Sequence, residues 1–188
     1  MDLILKSYME YVLPTLINDS IRIEISESQY KKVKDFAEEV IKLKEKETHY
    51  LKDNEKMKKR FMTGMIGESA VEKLLGIPIV DFTIGNSKDY NHPDIPNYNI
   101  GIKTVEYFKF PVVPIKNEVN QIICIKGIES DKEVYMCGLA TTEVLNEYQD
   151  INLILDSNLR MRNVKTGFYG FDKLIKIKSL SDIKDYKS

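Results

Sequence analysis

Between Tyr30 and Ile41 the apolar residues Tyr30, Val33, Phe36, Ala37, Val40 and Ile41 recur at helical spacing, which predicts a helix beginning after a cap at Ser28. The period fades through "KEKETHYLKDNEK", where Asp53 or Asn54 is placed to cap a second helix running to about Leu75. Gly76, with Pro78 just beyond, is a stop signal for it. "IPIVDF" then reads as a strand and "TIGNSKDYNH" as a loop. From there the period changes to two: residues 99–107 and 111–115 are extended, and "NQIICIKG" and "EVYMCGLA" pair around the turn "IESDK". Helical signal returns in "TEVLNEYQ", capped by Thr141 or Thr142, and "TGFYGFDKLIKI" holds one last strand and a short helical turn. At the front, residues 3–13 predict a short helix ended by Pro14, and "IRIEI" alternates as a half-exposed strand does. The order predicts an α/β fold, a mixed sheet flanked by helices. Residues 1–52 form an N-terminal extension in this reading, and residues 53–188 form the core.

Composition fits one domain. With 188 residues, 43% hydrophobic and 30% charged, the chain has the balance of an ordinary globular protein, and its longest apolar runs are too short to span a bilayer. The start lacks the pattern of a secretory signal, so the expected location is the cytoplasm. Two cysteines, Cys124 and Cys137, make no disulfide framework, and reduced core thiols are expected even if the strand pair brings them face to face. A net charge of −1 excludes a protein that grips nucleic acid over its whole surface. Local basic segments remain: Lys31 to Arg60 holds 11 basic residues against 7 acidic, and "RMRNVK" at 160–165 adds a second cluster.

The chemistry is carried by three segments. In "FMTGMIGESAVEKLLG", Glu68 and Glu72 share the arc that carries Phe61, Met65, Val71 and Leu75, so each carboxylate needs a partner; for Glu72 the expected partners are backbone groups or a lysine at the rim. Gly64 and Gly67 beside Glu68 allow the helix to approach its neighbours. Asp94, directly after a proline, opens an extended segment. Nine positions on, Lys103 lies in "NIGIKTVEY" among Ile100, Ile102 and Val105, and a lysine in a partly buried strand asks for an acid or a phosphate.

"GESAVEKLLG", then "PD", then "IGIKT" resembles the PD-(D/E)xK nuclease superfamily, whose members include restriction endonucleases, phage exonucleases and repair nucleases. The resemblance spans about residues 60–140 and implies a restriction-endonuclease-like sheet. In that family a helix acid, an Asp at a strand end, and an acid two residues before a strand lysine surround one or two divalent ions. The helix acid maps onto Glu68, the Asp onto Asp94, the lysine onto Lys103. The remaining acid maps onto Gly101, a departure. The resemblance therefore implies Mg²⁺ or Mn²⁺ held by Glu68, Asp94 and the Ile102 carbonyl, with Glu68 moving into the vacant position; Asp81, Asp89 and Glu106 are the other acids in range, and Glu106 has the wrong strand parity.

The expected activity is hydrolysis of DNA phosphodiester bonds by metal-activated water, endonucleolytic or exonucleolytic, in a restriction, phage or defence setting. The alternative is a nuclease-like fold without chemistry, binding DNA or inhibiting a protein partner. Dimers are common in the family, and the 28–46 helix is the candidate interface for a homodimer. His92, ahead of "PD", is either a phosphate contact or a plain loop residue.

Overall fold

The computed structural model describes residues 3–44, 54–83 and 93–186. Four strands form the main sheet: β1 (Ile21–Glu24), β2 (Ile100–Glu106), β4 (Asn120–Lys126) and β5 (Glu133–Ala140), in the order β1-β5-β4-β2. β2 runs parallel to β4 and the other neighbours are antiparallel, so the sheet is mixed and β2 is an edge strand among the described residues. The "IICI" run lies in β4, where both faces are covered and strict alternation is therefore lost; Ile122 and Cys124 face one core, Ile123 and Ile125 the other.

The first core lies under α3 (Glu27–Lys44) and α4 (Asn54–Leu75), which pack on one face of the sheet and bury Val33, Phe36, Val40, Met65, Ile66 and Val71. The second core lies on the other face. It is closed by a three-stranded antiparallel sheet, β3 (Val112–Pro114), β7 (Lys165–Phe168) and β6 (Gln149–Asp150), and by the N-terminal helices α1 (Leu3–Ser7) and α2 (Leu13–Asn18), joined by a π-helical turn at Tyr8–Val12. Each fully buried Ile or Leu in these cores contributes about 2 kcal/mol. α5 (Thr142–Glu147) follows β5, capped by Thr141, whose hydroxyl accepts from the Val144 amide. The short α6 (Ser157–Met161) precedes β7.

Several expectations need correction. Pro14 does not end the helical segment; it sits in the first turn of α2, directly after the π-helical turn, and the helix continues to Asn18. Ser26, not Ser28, caps α3, its hydroxyl accepting from the Gln29 amide. "IPIVDF" forms no strand. Glu72 takes the amides of Ile79 and Val80 onto one carboxylate oxygen at 2.8 and 2.9 Å, so they have no ladder to join. Segment 1–52, expected as an extension, contributes β1 to the main sheet and α3 to its helical layer. The apolar residues Val33, Phe36 and Val40 of α3 pack into the first core. Asp53, Asp89 and His92 lie outside the described residues.

β4 and β5 do not bring the cysteines together. Cys124 pairs with Met136 and Ile123 with Gly138, so Cys137 is the extra residue of a β-bulge, and both thiols are buried and free. The bulge shifts side-chain parity, which lets Met136 and Leu139 both face the helical core. No helix among the described residues is long and apolar enough to cross a membrane.

Candidate metal and phosphate site

The site is built on the outer edge of β2. α4 crosses this strand at Gly67, where a Cβ would lie 1.7 Å from the Thr104 hydroxyl; only a residue without a side chain permits that approach. Gly64 meets nothing within 4 Å and plays no such part. The contact at Gly67 fixes the next residue, Glu68, beside the strand. Glu68 is partly buried, and its carboxyl is pushed up to about 7, first by burial and then by the negative charge of Asp94.

Asp94 is held by a tight reversal. Ile95 bridges to Ile100, its amide donating to the Ile100 carbonyl at 2.9 Å; the Tyr98 amide closes the turn onto the Ile95 carbonyl, and Asn99 takes a left-handed φ of 49°. Folding the chain back this way lays Asp94 against β2, where its Oδ2 accepts from the Ile102 amide. Burial raises the Asp94 pKa, while the Ile102 amide and the Lys103 charge oppose the rise. In a strand the N–H and C=O of one residue point to the same side. Because the Ile102 N–H points off the edge towards Asp94, the Ile102 carbonyl points off that edge too, free of the β2–β4 ladder.

Lys103 arrives from the other face. Alternation sends Ile100, Ile102 and Thr104 towards α4, and Gly101, Lys103 and Val105 towards the second core. The ammonium makes no ion pair or hydrogen bond among the described residues. Its pKa is lowered to about 8, mainly by burial, then by the like charges of Lys165 on β7 and Arg60 on α4, with Asp94 opposing. Asp94 is thus the group that links the set: it lies within electrostatic reach of Glu68 on the helical side and of Lys103 on the far side.

Among the described residues, Glu106, Asp81 and Glu72 are engaged elsewhere. Glu106 faces α4 and accepts from Thr63 and from the Lys59 ammonium, the latter at 3.2 Å, as its strand parity predicts. Asp81 accepts from the Thr83 amide at 2.8 Å in an exposed turn, and Glu72 holds the amides after α4. Among the described residues no three Asp, Glu, His or Cys side chains gather into a metal-binding group. Two carboxylates within electrostatic reach of one another, and one carbonyl turned off the β2 edge, are hard oxygen donors of the kind Mg²⁺ or Mn²⁺ takes.

At the position expected to carry an acid, Gly101 pairs in parallel register with Gln121 of β4, and the Gln121 amide lies over it: both Oε1 and Nε2 are 2.7 Å from where a Cβ on residue 101 would be. Sequence reasoning did not single out Gln121, and it named Arg60 and Lys165 only as members of basic clusters, not as neighbours of Lys103. The one signal for Gln121 was a polar residue at the head of an isoleucine-rich strand. An open hollow of about 370 Å³, lined by Tyr11, Tyr148, Tyr169 and Lys173 among others, includes none of the residues around Asp94. Compared with known proteins, the chain matches no family model, no curated protein and no solved structure.

Proposed function

We propose that the chain is a metal-dependent phosphodiester hydrolase acting on DNA, with Glu68, Asp94 and the Ile102 carbonyl as ligands for Mg²⁺ or Mn²⁺ and Lys103 as the cationic group at the reacting phosphate. The observation that carries it is the position of Asp94: a carboxylate bonded to the Ile102 amide at the outer edge of β2, with a second carboxylate on one side and an unpaired ammonium on the other.

A bound divalent ion would supply charge neutralisation at the phosphate and a water of lowered pKa. The chain's own groups do the rest. Glu68 and Asp94 repel one another without a counter-ion, and that repulsion favours cation capture. The Ile102 amide fixes the Asp94 carboxylate through Oδ2. Lys103, with a pKa near 8, holds its proton at neutral pH, donates hydrogen bonds to a phosphate oxygen and stabilises charge developing there. Arg60 and Lys165, within electrostatic reach of Lys103, bind neighbouring phosphates.

The test is cleavage of plasmid and linear DNA with Mg²⁺ or Mn²⁺, alongside Lys103→Ala and Asp94→Ala. Each substitution is expected to lower the rate by about 100-fold or more. Cleavage that survives both defeats the proposal.

One observation favours a second reading, a nuclease-like fold that binds DNA or a protein without cutting: among the described residues no three acids gather into a metal-binding group, and residue 101 has no carboxylate. Titration with Mn²⁺ separates the two. DNA binding without millimolar or tighter metal binding supports the second.

A further inference from the structure

The geometry points to Gln121 as a third side-chain ligand of the metal site, a neutral amide oxygen delivered from the neighbouring strand to the place that a side chain on residue 101 would occupy. The inference rests on the metal-site reading above and deepens it.

Three facts support the assignment. First, the parallel register sets Gln121 beside Gly101, and the Gln121 amide lies 2.7 Å from the absent Cβ through both its oxygen and its nitrogen. The amide therefore fills the space that a side chain on residue 101 would enter. Second, Gly101 and Ile102 are consecutive. The Asp94 carboxylate engages the Ile102 amide at the strand edge while the Gln121 amide covers Gly101, so the two side chains approach adjacent backbone units, and Lys103 lies two residues along on the Gln121 face. Third, the Gln121 side chain makes no hydrogen bond among the described residues, so neither end of its amide is committed. A half-turn of the amide presents whichever end is needed.

The chemistry is consistent. Amide carbonyls of Asn and Gln are ordinary ligands for hard divalent ions. With Gln121 in place of a third acid, the side chains bring a charge of −2 to the ion instead of −3. Gly101 has a matching role: any side chain there would expel the amide, so the glycine and the glutamine act as one unit across two strands.

The experiment is a calorimetric titration of the full chain with Mn²⁺, without DNA, paired with the Mn²⁺-induced shift in melting temperature. Gln121→Ala is expected to weaken Mn²⁺ binding about 10-fold, and Gln121→Glu, which restores the third charge, to tighten it by a similar factor. Gly101→Ala, which drives the amide away, is expected to weaken binding as Gln121→Ala does. Tighter binding by Gln121→Glu is a gain that misfolding cannot imitate. Affinities of Gln121→Ala and Gln121→Glu within two-fold of the unsubstituted chain overturn the inference and leave the metal site of Glu68 and Asp94 standing. An unsubstituted chain that takes up no Mn²⁺ at millimolar concentration overturns both.

Discussion

Glu68 is held at a cost that has a definite pH signature. Its folded pKa, about 7, lies above the ordinary carboxylate value because burial and Asp94 both disfavour the charged form. For an acid shifted upward, the contribution to stability is fully present below the unfolded pKa and is lost as pH rises through the folded one. Glu68→Gln in metal-free buffer is therefore expected to change little at pH 4.5 and to stabilise the chain at pH 8, by about 3 kcal/mol for a shift of this size. Thermal melts at the two pH values check it, and equal effects at both would show that Glu68 does not titrate in this window. Adding Mn²⁺ should remove the advantage of the variant, because the ion favours the ionised carboxylate it binds. A stabilising substitution at a carboxylate proposed as a metal ligand is the ordinary trade between stability and activity.

At the scale of elements, the site depends on how closely α4 lies on β2. Gly67→Ala would put a Cβ 1.7 Å from the Thr104 hydroxyl, and since the obstacle is a β-branched side chain in a paired strand, the helix has to move. The expected loss is about 2–3 kcal/mol, read as a lower melting temperature, while Gly64→Ala, with nothing near its Cβ, should be neutral or slightly stabilising. The elements themselves were largely legible in the chain. The long helix and its stop at Gly76, where φ is 68°, the β4–β5 pair and the Thr141 cap all followed from local pattern and turn chemistry. Failures came where a distant group decided the local structure. "IPIVDF" has the composition of a strand, but Glu72 takes its amides. β7 was legible as a strand, yet nothing in its four residues said that it would join β3 and β6 instead of the main sheet. Glu68, Asp94 and Lys103 were singled out because charges in apolar patterns are conspicuous. Gln121 was not, since its meaning depends on the parallel pairing of strands 20 positions apart.

Across the whole molecule the net charge of −1 gives almost no long-range attraction for DNA, so any binding has to come from a local concentration of unpaired cations. One such segment adjoins the site. From Ser157 to Lys165 the chain carries Arg160, Arg162 and Lys165 and no acid, and Met161 and Val164 are 76% and 57% exposed at its tip. None of the three cations forms a salt bridge among the described residues, whereas Lys58, Lys59 and Lys126 each hold an acid. Lys165 links this segment to the proposed site, because its charge reaches Lys103. If these side chains lie along a phosphate backbone, each releases close to one counter-ion, and the slope of log affinity against log salt should be less steep by roughly 2.7 when all three are changed to alanine. Fluorescence anisotropy with duplex DNA at several salt concentrations, in EDTA to prevent cutting, measures this directly. Lys103→Ala in the same assay should leave the slope within about one unit of the unsubstituted value, since one buried ammonium accounts for at most one phosphate. A triple variant with an unchanged slope would move the DNA contact off the α6–β7 segment, and single-stranded RNA binding with the same salt dependence would reassign the substrate while keeping the surface.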